Sequence, residues 1–66
     1  MVILVNGAPR ELPAGCSAAL LLEQLGLTGK RLALEVNAEI VPRSRYAVYL
    51  LNEGDRVEVV HAIGGG

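Results

Sequence analysis

The chain has 66 residues, a formal net charge of −1 and a hydrophobic fraction of 52%. This length allows one domain and leaves little volume for a deep active site, since so short a chain buries only about 60% of its unfolded surface. The hydrophobic fraction argues against disorder, and no apolar run reaches the ~18 residues that a membrane span needs. Six basic against seven acidic residues leave no basic excess for binding nucleic acid. We therefore expect a soluble globular domain that binds neither nucleic acid nor a membrane.

The use of cysteine favours the cytoplasm. Cys16 is the single cysteine, so it cannot form an internal disulfide, whereas a small domain of an oxidising compartment usually carries several. The apolar residues 1–5 have no positive segment before them and end at Asn6-Gly7, short of the apolar core of a signal peptide. We interpret residues 1–5 as a β-strand.

A β-hairpin is predicted at the start of the chain. Asn6-Gly7 indicates a tight turn, because both residues tolerate the positive φ of a type I′ turn. The strand of residues 1–5 should therefore pair with a second strand near residues 10–12. Pro9 lacks an amide donor, which favours an edge position for the second strand.

A helix and three further strands follow. Ser17 offers an N-cap to apolar residues at helical spacing, and Gly26 should end this helix. Alternating apolar residues predict a third strand over residues 32–36. A short strand at Ile40-Val41, an irregular or single-turn helical crossover, and a long strand over residues 56–63 complete the chain.

One helix and four or five strands predict an α+β fold. A single helix laid across one face of a mixed sheet lets both elements bury their apolar faces, and this is the ubiquitin-like β-grasp arrangement. We divide the chain into a β-grasp domain, residues 1–63, and a flexible glycine tail, residues 64–66. Alternation places the following side chains toward the helix: Met1, Ile3, Val5, Leu34, Val36, Val57 and Val59.

The opposite face of the sheet is expected to be unusually apolar. Alternation along the first and last strands places five side chains on the face away from the helix: Val2, Leu4, Glu58, Val60 and Ala62. A face meant only for water should be polar, yet four of these five are apolar. The first and last strands of a β-grasp fold are neighbours. We therefore predict that the four apolar residues form one contiguous partner-binding patch, with Ile63 near the exit of the tail.

No residue of the chain stands out as catalytic or metal-binding. His61 is the only histidine, and the sequence places no serine, cysteine or carboxylate beside it as a triad would need. Cys16 and His61 alone are too few to ligate a metal ion. We expect no catalytic residue, no metal and no bound cofactor.

The chemistry is expected at Gly64-Gly65-Gly66. A C-terminal carboxylate is ionised at neutral pH and can attack the α-phosphorus of ATP once an enzyme holds it in an active site. Glycine has no Cβ, so a glycine tail can pass through a narrow channel to reach that site.

Several segments resemble the ThiS family, the sulfur carriers of thiamine biosynthesis. They are VNAEIVPR at residues 36–43, EGDRVEVV at residues 53–60, and the Gly-Gly end. The resemblance implies that an adenylyltransferase of the ubiquitin-activating type uses ATP to adenylate Gly66. It also implies that sulfur from a cysteine desulfurase relay then forms a thiocarboxylate, which thiazole synthase consumes. The chain would then be a protein co-substrate and not an enzyme.

Two other interpretations stay open. The small subunit of molybdopterin synthase is a ubiquitin-like sulfur carrier with the same terminal chemistry, although those chains are usually longer. A β-grasp binding module with an inert tail would have the same fold and no sulfur chemistry.

Overall fold

The computed structural model describes residues 1–61, which form one sheet and one helix. The elements in chain order are β1 (Val2–Val5), β2 (Ala8–Glu11), α1 (Ala18–Gln24), β3 (Leu32–Val36), β4 (Glu39–Val41), a 3₁₀ helix (Arg43–Arg45) and β5 (Arg56–His61). Every predicted element is present in the predicted order. The strand predicted near residues 10–12 begins earlier, at Ala8, because Asn6 and Gly7 alone make the turn, with φ values of 50° and 84°.

The five strands are arranged in the order β2-β1-β5-β3-β4. The last strand, β5, lies at the centre, parallel to β1 and antiparallel to β3. The strand that contains Pro9 lies at one edge, as its missing amide donor predicted. This topology, with one helix, confirms the predicted β-grasp fold.

The helix α1 starts and stops where its capping residues predict. The Oγ atom of Ser17 accepts a hydrogen bond from the backbone amide of Leu20 at 3.1 Å. Gly26 follows the C-cap with φ +74°, a backbone conformation that glycine adopts without steric cost. Three helical side chains are buried: Ala18, Leu21 and Leu22.

The core lies between α1 and one face of the sheet. Of the seven side chains predicted to face the helix, Met1 and Val5 are partly buried against the core, and the other five are buried. Loop residues that strand alternation does not predict complete the core: Leu12, Cys16 and Leu51. The parity assigned from the sequence is therefore correct on both β1 and β5.

Candidate functional site

The candidate site is the open face of the sheet, which is the face that does not pack against α1, together with the end of β5. This strand ends at His61, and the residues beyond it lie outside the described part of the chain. They include five residues that the sequence assigned to the site: Ala62, Ile63, Gly64, Gly65 and Gly66. Their roles, and the division of the chain at residue 63, stay predictions.

An asparagine side chain holds β5 on the side of β1. Asn6 lies at φ 50°, in the first position of the β1–β2 turn. Its Oδ1 accepts a hydrogen bond from the amide of Val59 at 2.8 Å, and its Nδ2 donates to the Val59 carbonyl at 3.3 Å. Its own backbone amide donates to the carbonyl of Val57 at 2.8 Å. Asn6 therefore extends the hydrogen bonding along β5 to Val59, two residues beyond Val57, which is the partner of the last residue of β1.

A second asparagine holds β5 on the side of β3. Asn37, at φ 52°, accepts a hydrogen bond at Oδ1 from the amide of Arg56 at 3.0 Å and donates from Nδ2 to Asp55 at 3.1 Å. The other carboxylate oxygen of Asp55 accepts from the amide of Asn52 at 2.8 Å. Because Asp55 is buried, these bonds replace the water it lost on folding. The start of the tail-bearing strand is thus fixed by a polar network.

The open face has the predicted side chains. Val2 is 41% exposed and Val60 is 54% exposed, while Leu4 is half-buried and Glu58 is exposed. All four point away from α1, because their neighbours Ile3, Val57 and Val59 are buried. Of the five residues predicted on this face, the four described ones lie on it, and three of these four are apolar.

The prediction of one contiguous apolar patch is wrong. In the parallel pairing of β1 with β5, Leu4 lies opposite Arg56, and the carbonyl of Val2 accepts from the amide of Gly54 at 2.8 Å. Val60 is four residues further along β5 than Arg56, which at ~3.3 Å per residue is roughly 13 Å. Val2 and Leu4 therefore lie near the start of β5, whereas Val60 lies near its end. Alternation along each strand carries no information on this offset between the two strands.

Charged side chains separate the two apolar regions. Arg56 and Glu58 occupy β5 between them, and Glu35 of β3 lies directly opposite Glu58. A shallow groove of about 570 Å³ on this face is lined by both glutamates, Arg56 and Val60. The apolar region at the start of β5 consists of Val2, Leu4 and Pro9, and that at the end consists of Val60 with Ala33 opposite it. A partner that covers this face must therefore bury the apolar side chains and offer hydrogen bonds or opposite charges to the charged ones.

One exposed residue of the open face was missed in the sequence. Ile40 in β4 pairs with Glu35 and is 70% exposed. Its parity could have identified it, because its neighbour Val41 pairs with buried Leu34 and faces the helix. Ile40 extends the open face to its far edge and adds an apolar contact point beside the groove.

Neither Cys16 nor His61 is arranged for catalysis. Cys16 is only 1% exposed, and burial raises the pKa of its thiol, which makes it a poor nucleophile at neutral pH. Its Sγ lies 3.5 Å from the carbonyl of Ser17. His61 is exposed on the helix side at the end of β5, paired with Leu32. Cys16 therefore belongs to the core, and His61 is a surface residue of the strand.

Residues 1–61 contain neither a candidate metal site nor a membrane-spanning helix. This part of the chain contains no group of three or more histidine, cysteine, aspartate or glutamate side chains that could hold a metal ion. Nor does it contain a helix long and apolar enough to cross a membrane.

Comparison with known proteins gives the family. A model described as the ThiS family matches residues 3–66. The chain belongs to the ThiS family. The sulfur carrier protein ThiS of Escherichia coli (strain K12) is 36% identical over 66 residues, which is the full length of both chains. This match extends through the glycine tail.

A crystal structure of the thiamine biosynthesis protein (ThiS) from Geobacter metallireducens has the same fold. It superposes with a TM-score of 0.85 at 28% identity, and the match covers 100% of both chains. The ubiquitin-like β-grasp fold is therefore shared with a family member of known structure.

Some relatives are much longer than this chain. The thiazole synthase of Paramagnetospirillum magneticum is 42% identical over 66 residues, which is 20% of its length. The thiazole synthase of Magnetococcus marinus gives the same identity and the same share. The chain thus spans about a fifth of the length of these curated relatives.

Proposed function

We propose that this chain is the sulfur carrier protein of thiamine biosynthesis. The observation that carries this proposal is the end-to-end match to a sulfur carrier protein ThiS, which includes the terminal glycines. The chain would act as a co-substrate, with no bound cofactor of its own. The cytoplasm is the expected compartment, because the single thiol makes no internal disulfide and a reducing environment keeps it free.

The reaction takes place at Gly66. An adenylyltransferase of the ubiquitin-activating type binds ATP, the Gly66 carboxylate attacks the α-phosphorus, and pyrophosphate leaves. The acyl-adenylate activates a carboxylate that is otherwise unreactive. The outer sulfur of a persulfide from a cysteine desulfurase relay then attacks the carbonyl carbon, AMP leaves, and an acyl disulfide forms. A second thiol reduces the S–S bond of this acyl disulfide, which releases the thiocarboxylate and leaves a disulfide between the two thiols. Sulfur is a better nucleophile than oxygen, so the product can donate it to form the thiazole ring.

Thiazole synthase is the proposed sulfur acceptor. Two proteins of that name contain a segment 42% identical to this whole chain. Joining a carrier to its acceptor in one polypeptide raises the effective concentration of each for the other. The same two components acting as separate chains would need a docking surface, because no linker brings them together.

The open face supplies that docking surface. We propose that the activating enzyme and thiazole synthase bind it in turn, centred on Val60, because this residue is exposed and lies next to His61, the last residue of β5. By the same parity, Ala62 continues the surface in this proposal, and Ile63 lies near the exit of the tail. Val2, Leu4 and the charged side chains of the groove lie further from the end of β5. They would contact only a partner that covers more of the open face.

The proposal is tested by weighing the intact protein. The chain is incubated with the adenylyltransferase, ATP and a sulfur source, and conversion of the carboxylate to a thiocarboxylate raises the mass by the difference between sulfur and oxygen. Deleting Gly66 should abolish ATP–pyrophosphate exchange while the circular dichroism of the fold is unchanged, because no core residue is altered. Wild-type exchange by the deletion variant would reject Gly66 as the reacting residue.

The alternatives predict different results in the same assay. A binding module with an inert tail would keep its mass unchanged under all conditions. A carrier of molybdopterin synthase would gain sulfur but would not deliver it to thiazole synthase. The family match and the full-length relative favour the thiamine pathway.

A further inference from the structure

A cleft on the helix side of the sheet lies away from the open face. It has a volume of about 210 Å³ and lies between α1, the loop that follows it, the start of β3 and the 3₁₀ helix. Of its apolar lining residues one is buried and four are half-buried, so part of this apolar surface is open to solvent. These residues are Leu22, which is the buried one, and Ala19, Leu27, Leu32 and Tyr46.

Hydrogen bonds hold the walls of the cleft in place without a ligand. The backbone amide of Ala19 donates to the carbonyl of Tyr46 at 2.9 Å, which joins α1 to the end of the 3₁₀ helix. The Nη2 atom of Arg43 donates to the carbonyl of Lys30 at 3.1 Å, which joins the start of the 3₁₀ helix to the loop. The amide of Lys30 in turn donates to the carbonyl of Leu27 at 3.0 Å. The cleft is therefore formed before anything binds to it, as binding sites usually are.

The rim of the cleft is positively charged. Lys30 and Arg43 line it, and Arg31 and Arg45, which are close to them in sequence, are exposed. These are four of the six lysine and arginine residues of a chain whose net charge is −1. The described residues that line the cleft include no aspartate or glutamate. A negatively charged partner is therefore attracted to this side of the molecule.

We propose that the cleft binds an acidic segment of a partner protein that inserts one large apolar side chain. The volume of the cleft is below the ~300–1,000 Å³ of typical small-molecule sites, which favours a single side chain over a cofactor. Inserting this side chain removes apolar surface of both proteins from water. Carboxylates on either side of it then meet Lys30 and Arg43 at the rim. The guanidinium of Arg43 has five N–H donors, and its bond to Lys30 uses only one of them.

Two partners can bind the domain at the same time, because the cleft and the open face lie on opposite sides of the sheet. Leu32 lines the cleft and has the parity of Leu34, which is buried on the helix side. A protein held at the cleft therefore leaves Val60 accessible. The protein that delivers sulfur could then bind while the activating enzyme covers the open face. This consequence rests on the proposed function, whereas the binding of an acidic segment does not.

Nuclear magnetic resonance of the full chain tests the proposal with three capped pentapeptides. The first has phenylalanine between two pairs of glutamates, the second has alanine in place of phenylalanine, and the third has lysines in place of the glutamates. One inserted side chain and a few exposed charge contacts give weak binding. We therefore expect the first peptide to shift the resonances of Leu22, Leu27 and Tyr46 with a dissociation constant on the order of 1 mM. The other two should bind about tenfold more weakly.

Two variants with the same change of charge locate the site. Lys30→Glu reverses a charge at the rim, whereas Arg31→Glu reverses the charge next to it in sequence, which does not line the cleft. Both side chains are exposed, so neither change should affect folding. At about 0.15 M ionic strength the Debye length is ~8 Å, so charges at the rim should matter most. We expect Lys30→Glu to weaken the first peptide about fivefold and to improve binding of the lysine peptide, and Arg31→Glu to change either by less than about twofold.

Four results would overturn the proposal. The first is no saturable shift of the cleft resonances at roughly 10 mM of the first peptide. The second is equal binding of the alanine peptide, because charge alone would then attract it without insertion of a side chain. The third is an equal effect of the two charge reversals. The fourth is a set of shifts confined to residues of the open face, such as Val2 and Val60.

A second copy of this chain is the competing occupant. Ile40 is 70% exposed and follows the exposed Glu39, so another copy could offer the same chemistry to the cleft. Cleft resonances that move when the protein alone is concentrated would identify this occupant and overturn the binding of a different partner. Thiocarboxylate formation is measured separately by mass. A chain that gains sulfur but does not bind the first peptide would refute the cleft proposal alone, and a chain that binds the peptide but gains no sulfur would refute the proposed function alone.

Discussion

The two faces of the sheet differ in how much of their apolar side chains is exposed to solvent. The helix face buries nearly all of them against α1, whereas the open face leaves Val2, Val60 and Ile40 exposed around a charged centre. These exposed residues do not form one patch, because Arg56 and Glu58 lie between Val2 and Val60. The comparison teaches that this small domain uses one face of its sheet to form the core and leaves apolar side chains exposed on the other, where we propose that partners bind.

The strand β5 belongs to both faces, and two consecutive residues show the contrast. Val59 is 7% exposed and pairs with buried Leu34, while Val60 is 54% exposed and pairs with Ala33. The same substitution at these two positions therefore separates an effect on folding from an effect on binding.

The largest expected effect comes from Val59→Asp. It would place an unpaired carboxylate in the core at a cost of about 3–5 kcal/mol. The net stability of a domain this size is of the same order, so most of the variant should be unfolded at 25 °C. Urea denaturation followed by circular dichroism measures the loss. A variant that keeps more than half of the wild-type free energy of unfolding would contradict the face assignment.

Val60→Asp should instead affect binding. We expect it to weaken the complexes with the activating enzyme and with thiazole synthase by ~1–3 kcal/mol while barely altering stability. Val2→Asp is the matched control, because Val2 is also exposed on this face but lies near the start of β5. Its effect on both dissociation constants, measured by calorimetry, should be smaller.

Either of two outcomes would contradict this binding prediction. If Val60→Asp unfolds the domain, Val60 does not lie on an open face. If the variant folds and binds both partners normally, the docking surface lies elsewhere on the molecule.

The faces were predictable from the sequence, but the register between β1 and β5 was not. Alternation has a period of two, so sliding one strand by two or four residues leaves every side chain on the same face. The offset that separates Leu4 from Val60 depends on loops and on the hydrogen bonds of β5, including that from the Leu4 amide to the Asp55 carbonyl at 2.9 Å. Local sequence patterns therefore predict which residues lie on the open face, but they do not predict how these residues are arranged along it.

The turns show a similar limit. Asn6-Gly7 predicted the hairpin because both residues accept positive φ. The same asparagine also bonds through its side chain to Val59, which is 53 residues away. The buried carboxylate of Asp55 likewise depends on Asn37, which is distant in sequence. Turn propensity is a local property, whereas these contacts exist only after β5 has been placed in the sheet.

Asn6 bonds to β5 beyond the end of β1, through the amide and the carbonyl of Val59. Asn6→Ala removes both side-chain bonds to Val59. It also places alanine at φ 50°, where its Cβ is strained and no side-chain polar group compensates for the strain. The free energy of unfolding should therefore fall by about 2 kcal/mol. Asn6→Gly removes the same bonds, but glycine adopts this φ value without strain. The free energy of unfolding should therefore fall by only about 1 kcal/mol. Thermal unfolding of the two variants separates the hydrogen bonds from the backbone strain. Equal losses would mean that the strain contributes nothing.

The smallest expected effect concerns the charged centre of the open face. Glu58 and Glu35 are directly opposite each other on neighbouring strands, an arrangement in which like charges repel. Glu58→Gln removes one of the two charges and keeps the shape of the side chain. It should therefore raise the free energy of unfolding by a few tenths of a kcal/mol, about the scale of exposed charge pairs. Arg56, two residues away on the same face of β5, already offsets part of the repulsion and keeps the gain small.

Salt distinguishes this gain from a packing effect. At about 1 M ionic strength the Debye length falls to ~3 Å, so the repulsion between the two carboxylates is largely screened and the advantage of Glu58→Gln should disappear. Urea denaturation in low and high salt measures both values. A gain that persists at high salt would show that Glu58 destabilises the sheet through its packing and not through its charge. A gain that vanishes would mean that the domain keeps an electrostatic cost on its open face, which a cationic group of a docking partner can relieve on binding.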